Sequence, residues 1–480
     1  MEQIDIQEIK HQTTSSVIFL SLRNIGIQAI SFVGFFLLTY LLGTKEVGVF
    51  AIVAESVGIL GYFSDIGLAA ALIQQKTEIT KDELQTTFTV QQILVILALI
   101  IAFPIIKSQH LEFNETWIVA SLCFSFIAAS LKTIPSVLLE RKLNFKLLST
   151  IDIVENITFY IFAVFFAFLG FGTLSYAIAT FIRSFLGLII IYKFISWPIG
   201  FSFSKNVAKK LFKYGVPYQF NSFISVAKDK LSNLFVAQII GTNSFGILAW
   251  AQKGPRMPLS FMEAIMKITF PTFSRLQEHQ DFLKKSLDKS LFFIALVVFP
   301  ALVGISFVGL DFIYIVPKYT KWLPAIFPMY LYSFNYAIAA ITTPITNAFN
   351  AVGKITLTTK FMIMWTILTW IFFPILSWKF GYIGTVWASV IVGISSFIVW
   401  FVAQKEFNLN IFQSIKKPFF GSILMVIILF GINQFNLNHL INVIIKIIIG
   451  FLTYSGFILI SSKKEINWFW HQLQCLRNKK

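Results

Sequence analysis

Stretches of ~18 or more mostly apolar residues recur along the whole chain, each long enough to cross a hydrocarbon layer of ~30 Å. Of its 480 residues, 56% are hydrophobic and only 13% are charged. A soluble domain of that composition would leave much apolar surface in water, because its area outruns its volume. In lipid a helix satisfies its own backbone polar groups, so the expected fold is all-α and polytopic. The runs give about fourteen transmembrane helices. They include spans at 15–42, 46–73, 173–195, 212–240, 244–272, 289–316, 418–433 and 440–461.

One short segment occurs twice. LLGTKEVGVFAIVAES begins at Leu41, and IIGTNSFGILAWAQKG begins at Ile239. At one constant offset Gly43 meets Gly241, Thr44 meets Thr242, Gly48 meets Gly246 and Ala51 meets Ala249. About six spans separate the copies, so both halves would enter the membrane in the same sense, as in transporters built from parallel repeats. The expected organisation is a six-helix lobe over 1–200, a second over 201–410, and an additional helix pair with a basic tail over 411–480.

Lysine and arginine set the orientation. They crowd the connections on one side, while the opposite side carries Lys45, Lys107, Lys318, Lys321 and Lys379. The positive-inside rule then puts both termini in the cytoplasm. The net charge of +17 is spread over every inner loop rather than gathered on one domain, which argues against a nucleic-acid partner and leaves membrane lipids as neighbours. The N-terminal MEQIDIQEIKHQ lacks the basic region of a cleaved signal peptide.

Cofactor chemistry has no foothold. The two cysteines, Cys123 and Cys475, form no framework, and the five histidines show no metal-ligand spacing. Neither a glycine-rich phosphate loop nor HExxH occurs, so a membrane glycosyltransferase or polymerase is disfavoured and no enzyme is expected.

Charges inside spans are the candidate working residues, because each costs ~2.5–3.5 kcal/mol at a helix centre unless it meets a cavity or a partner. Arg183, Lys228, Lys230, Lys253 and Arg256 lie mid-span, and Arg23 joins them as a candidate for holding an anionic substrate. Arg23, Lys132 and Lys267 are close enough to a span end to snorkel instead, while Asp152 and Glu155 read as interfacial. Lys446 is also embedded. Glu55, Asp65, Asp229 and Glu263 are the candidate gate or coupling acids. The repeat offset pairs Glu55 with Lys253, opposite charges on equivalent helices that could form a gate bridge. Cations outnumber acids in spans seven and eight, which favours a phosphate-bearing substrate over a cationic drug. Pro255 and Pro258 bracket Arg256 and predict a bend there.

Three stretches resemble a known family. Ser64-Asp65-Ile66-Gly67-Leu68 followed by AAALIQQK, IPSVLLERKLNFK from Ile134, and MPLSFMEAIMKITFPTFSRLQE from Met257 are similar, in order and spacing, to Wzx-like polysaccharide flippases of the superfamily that also contains the MATE multidrug transporters. The resemblance implies two lobes around a cavity. It also implies export of an undecaprenyl-pyrophosphate-linked oligosaccharide by alternating access. Whether a proton or sodium ion is coupled to it stays open, and a polysaccharide assembly machinery is a candidate further partner. A lipid II-type flippase and a MATE-type antiporter are the neighbouring alternatives.

Overall fold

Along the described chain, helices follow one another with breaks at glycine, proline and short polar turns. The computed structural model describes residues 26–462 except 66, 76–77, 109–112, 143 and 436–437. Arg23 lies outside the described residues, as does the start of the 15–42 span. Among the described residues there is no strand. Nine helical stretches there are long and apolar enough to cross a membrane, as the composition demands.

The described residues group into two compact units, divided between Ala249 and Trp250. The first begins with helix α1, described over Gly26–Leu41. It continues with α2 (Thr44–Asp65), α3 (Leu68–Gln74), α4 (Lys81–Ser108), α5 (Phe113–Arg141), α6 (Phe145–Phe168), α7 (Leu174–Phe194) and α8 (Lys205–Val226). A π turn over Ala227–Leu231 leads into α9 (Ser232–Arg256), which crosses the unit boundary. The expected span at 46–73 is two helices. Gly67 adopts φ 73°, a left-handed conformation that ends α2 and starts the short α3. Its α-carbon face lies against the Gly215 backbone, leaving no room for a side chain.

Gly241, at φ 79° and ψ 166°, divides α9 into two segments, so the chain turns where the sequence placed the end of the span at 212–240. The glycine turn around Gly170 and Gly172 likewise separates α6 from α7.

The second unit contains α10 (Leu259–Arg275), α11 (Gln280–Ile315), a 3-10 turn (Tyr319–Ala325), α12 (Ile326–Ala351), α13 (Ile355–Ile394), α14 (Phe397–Phe407), α15 (Ile411–Ile432) and α16 (His439–Ser461). The bend expected at Pro255 and Pro258 is a break: α9 ends at Arg256 and α10 starts at Leu259. Trp250 stacks on the fully buried Trp322 with ring centroids 5.6 Å apart, anchoring the 3-10 turn. The α15–α16 pair is not a loose appendage. Met425, Leu429, Tyr454 and Ile458 pack with Leu296, Val303 and Phe307 of α11, and the Tyr454 hydroxyl donates to the Leu296 carbonyl at 2.9 Å.

Candidate functional site

The two copies of the repeated segment meet at Thr44–Gly48 and Thr242–Gly246, both within the first unit. A β-carbon on Gly48 would overlap the carbonyl oxygen of Thr242 and lie 3.0 Å from the Gly246 amide nitrogen. A β-carbon on Gly246 would overlap the carbonyl oxygen of Thr44 and lie 2.9 Å from the Gly48 amide nitrogen. The contact is reciprocal, and the Thr44 hydroxyl also donates to the Asn243 side-chain oxygen. Small residues recur in both copies because two backbones must pass this closely.

Lys228, Asp229 and Lys230 occupy the π turn, where one extra residue per turn breaks the regular helical ladder. The Ser232 hydroxyl satisfies carbonyls freed there, donating to those of Lys228 and Asp229. Lys228 pairs with its neighbour Asp229, whose side chain is 58% exposed, while Lys230 turns towards α2. The Lys230 ammonium fills the space where a Gly58 side chain would stand. Glu55 sits one turn earlier on α2 and shares that face of the helix. The side chain of Asp65 lies outside the described residues.

A second cluster joins α5, α6 and α7. Lys132, which could have snorkelled, instead bonds Glu155 across α5 and α6, both side chains being less than one-fifth exposed. Gly187 on α7 leaves room for the Glu155 carboxylate. Arg183, four residues before Gly187 and therefore on the same face, lies over the Phe159 ring at 5.2 Å. Ser31 of α1 donates to the Asn156 side-chain oxygen at 3.1 Å. Glu155 thus belongs to a polar cluster between helices, a pairing that its place in the sequence did not disclose.

Two of the resembling stretches also meet. Arg141 donates from Nη1 to the carbonyls of Leu72 and Gln75, each at 2.8 Å, closing the C-terminal end of α3. Beside it, Thr80 and Glu83 form a capping box at the start of α4, and Lys210 of α8 reaches the Glu83 carboxylate at 2.8 Å. These residues hold helix ends together.

In the second unit Lys253 is half-buried, whereas Arg256, Glu263 and Lys267 are exposed. Glu55 falls in the first unit and Lys253 in the second. The residue missed by the sequence reading is Asp311 on α11, only 4% exposed. It accepts from Lys446, from Asn442 at 3.2 Å and bonds His439 at 2.7 Å, so three residues of α16 converge on one carboxylate. Lys446 also donates to the Phe307 carbonyl at 3.1 Å. An aspartate near the end of a long apolar run was the available signal. Among the described residues no His, Cys, Asp and Glu side chains gather into a metal-holding group.

The family model of the polysaccharide biosynthesis proteins matches residues 37–327, more than half of the chain and every candidate residue except Arg23. The chain belongs to this family. It is 24% identical over 409 residues to the teichuronic acid biosynthesis protein TuaB of Bacillus subtilis, covering 81% of this chain and 83% of that one. The lipopolysaccharide biosynthesis protein WzxC of Escherichia coli is 22% identical over 368 residues, 75% of this chain and 74% of its own. Among solved structures, the lipid II flippase MurJ in an inward closed conformation superposes with a TM-score of 0.73 at 16% identity, over 95% of this chain and 99% of MurJ. An inward-facing MATE transporter gives 0.59 at 14% identity, over 81% and 94%. At these identities the likeness shows the fold alone, and this family member is a multi-pass membrane protein whose fold resembles those of MurJ and the MATE transporter.

Proposed function

We infer that this chain is a flippase for surface polysaccharide biosynthesis. It moves an undecaprenyl-pyrophosphate-linked oligosaccharide from the cytoplasmic to the outer leaflet of the bacterial cytoplasmic membrane by alternating access. The observation that carries this reading is the family match over 37–327 on a fold that follows a lipid II flippase along nearly its whole length. A phosphate-bearing substrate accounts for cations that would otherwise be costly in a bilayer.

In this reading about fourteen helices form two lobes, 1–200 and 201–410, in parallel repeat, with 411–480 as the additional pair and both termini cytoplasmic. Arg183, Lys228, Lys230, Lys253 and Arg256 hold the diphosphate, together with Arg23. Glu55, Asp65, Asp229 and Glu263 supply gating or coupling, with a proton or sodium ion as the driving species and an assembly machinery as partner. The π turn supports the role of Lys228 and Lys230, since such turns recur where a helix is bent to functional use.

A second reading, flipping of the peptidoglycan precursor, is favoured by the MurJ superposition. A deletion strain separates the two. Loss of surface glycan with accumulation of its lipid-linked precursor supports the first reading. Arrested cell-wall synthesis with intact surface glycan supports the second.

A further inference from the structure

A cavity of about 630 Å³ opens in the second unit between the first turns of α11 and α15. Lys284, Lys285, Lys289 and Lys417 line it, with Asp288 as its acid and Asn410, Gln413 and Ser414 as neutral hydrogen-bonding groups. Ser414 donates to the Asp288 carboxylate, so this acid ties the two helices together across the cavity wall. Ammonium and side-chain amide groups line the rest of the wall, and these are donor types that phosphate oxygens accept. Phe292 and Phe293 form the apolar end.

The cavity lies at membrane-boundary depth. Helix α11 has 36 residues, ~54 Å at 1.5 Å per residue, well beyond a hydrocarbon layer of ~30 Å. Its apolar run begins after Lys289, so the lysine-bearing first turns are the part that falls outside that layer, in the headgroup region. Exposed Phe282 and Phe412 flank the same turns, and Lys285 lies 5.9 Å from the Phe282 ring.

Scattered lysines follow from topology alone, but four on two helices around one concavity do not. We propose that this cavity binds the phosphate group of an anionic ligand at the lysine-rich face of the membrane, with a lipid headgroup as one source and a soluble phosphate or diphosphate as the other. The cavity shares no residue with the embedded candidates Lys228, Lys230, Lys253 and Arg256, and its occupancy does not depend on which glycan is carried. A headgroup held here would brace the additional helix pair against α11.

The test uses the full-length protein purified in detergent. Native mass spectrometry follows retention of phosphatidylglycerol against phosphatidylcholine, and calorimetry follows inorganic diphosphate. At least one phosphate ligand should bind with defined stoichiometry. The K284Q/K285Q/K289Q/K417Q variant should weaken it tenfold or more, whereas K142Q/K146Q, equally basic positions elsewhere, should leave it unchanged. Binding of phosphatidylglycerol alone assigns a headgroup, and binding of diphosphate as well assigns a phosphate site open to soluble ligands. If the quadruple variant does not purify, K284Q/K285Q and K289Q/K417Q should each lose at least threefold. Equal retention of both lipids with no diphosphate binding, or lysine variants that match K142Q/K146Q, would overturn the proposal.

Discussion

Gly48 and Gly246 are reciprocal partners, each lying against the carbonyl oxygen of the threonine four residues before the other. The repeated segment is therefore both an echo in the sequence and a contact in space. Neither glycine can gain a side chain without moving a helix. G48A and G246A should each lower stability by ~1–3 kcal/mol through overpacking, seen as a lower melting temperature in detergent. G456A, where the added carbon meets nothing within 4 Å, should melt like the parent.

Asp311 and Lys446 carry a different risk. Removing one member leaves a buried charge without its partner, which costs ~3–5 kcal/mol, while replacing both by apolar residues of similar volume is near neutral. D311N and K446M should each destabilise the helix pair more than D311L/K446M does, measured by thermal melting of the purified protein. A double variant worse than either single one would show that His439 and Asn442 depend on the carboxylate more than Lys446 does.

Arg141 closes α3 with two charge-assisted hydrogen bonds. R141A should cost ~1.5–3 kcal/mol, and R141K should recover only part of it, because an ammonium lacks the planar guanidinium fork. Protease sensitivity of the intact protein in membranes would report the loosened helix ends.

Lys230 and Gly58 test substrate handling apart from folding. K230M should reduce transport about tenfold with little change in melting temperature, as expected for one lost charge-assisted contact worth ~1.4 kcal/mol or more. G58A should displace the same ammonium and lower transport in parallel. Transport at the parental level in both variants would remove Lys230 from the substrate path.

Much of this architecture was legible in the sequence for local reasons. Apolar run length gave the helices, and Gly170, Gly172 and Gly241 gave turns that the backbone makes with positive φ. Pro255 and Pro258 marked the break after Arg256. Pairing was less legible, because hydropathy gives a residue's depth in a span but not the direction it faces. Lys132 looked able to snorkel until α6 brought Glu155 beside it, and Asp311 meets Lys446 only because α16 folds back along α11. The span at 46–73 hid a helix end, since one left-handed glycine interrupts a helix without lowering its hydropathy.

The most direct test of the flippase reading is reconstitution of the purified chain into vesicles carrying a polyprenyl-diphosphate-linked oligosaccharide in one leaflet. Exposure of the glycan on the other leaflet is followed with a membrane-impermeant glycosidase. The account predicts protein-dependent exposure that K230M slows. Equal exposure in protein-free and protein-containing vesicles would contradict it.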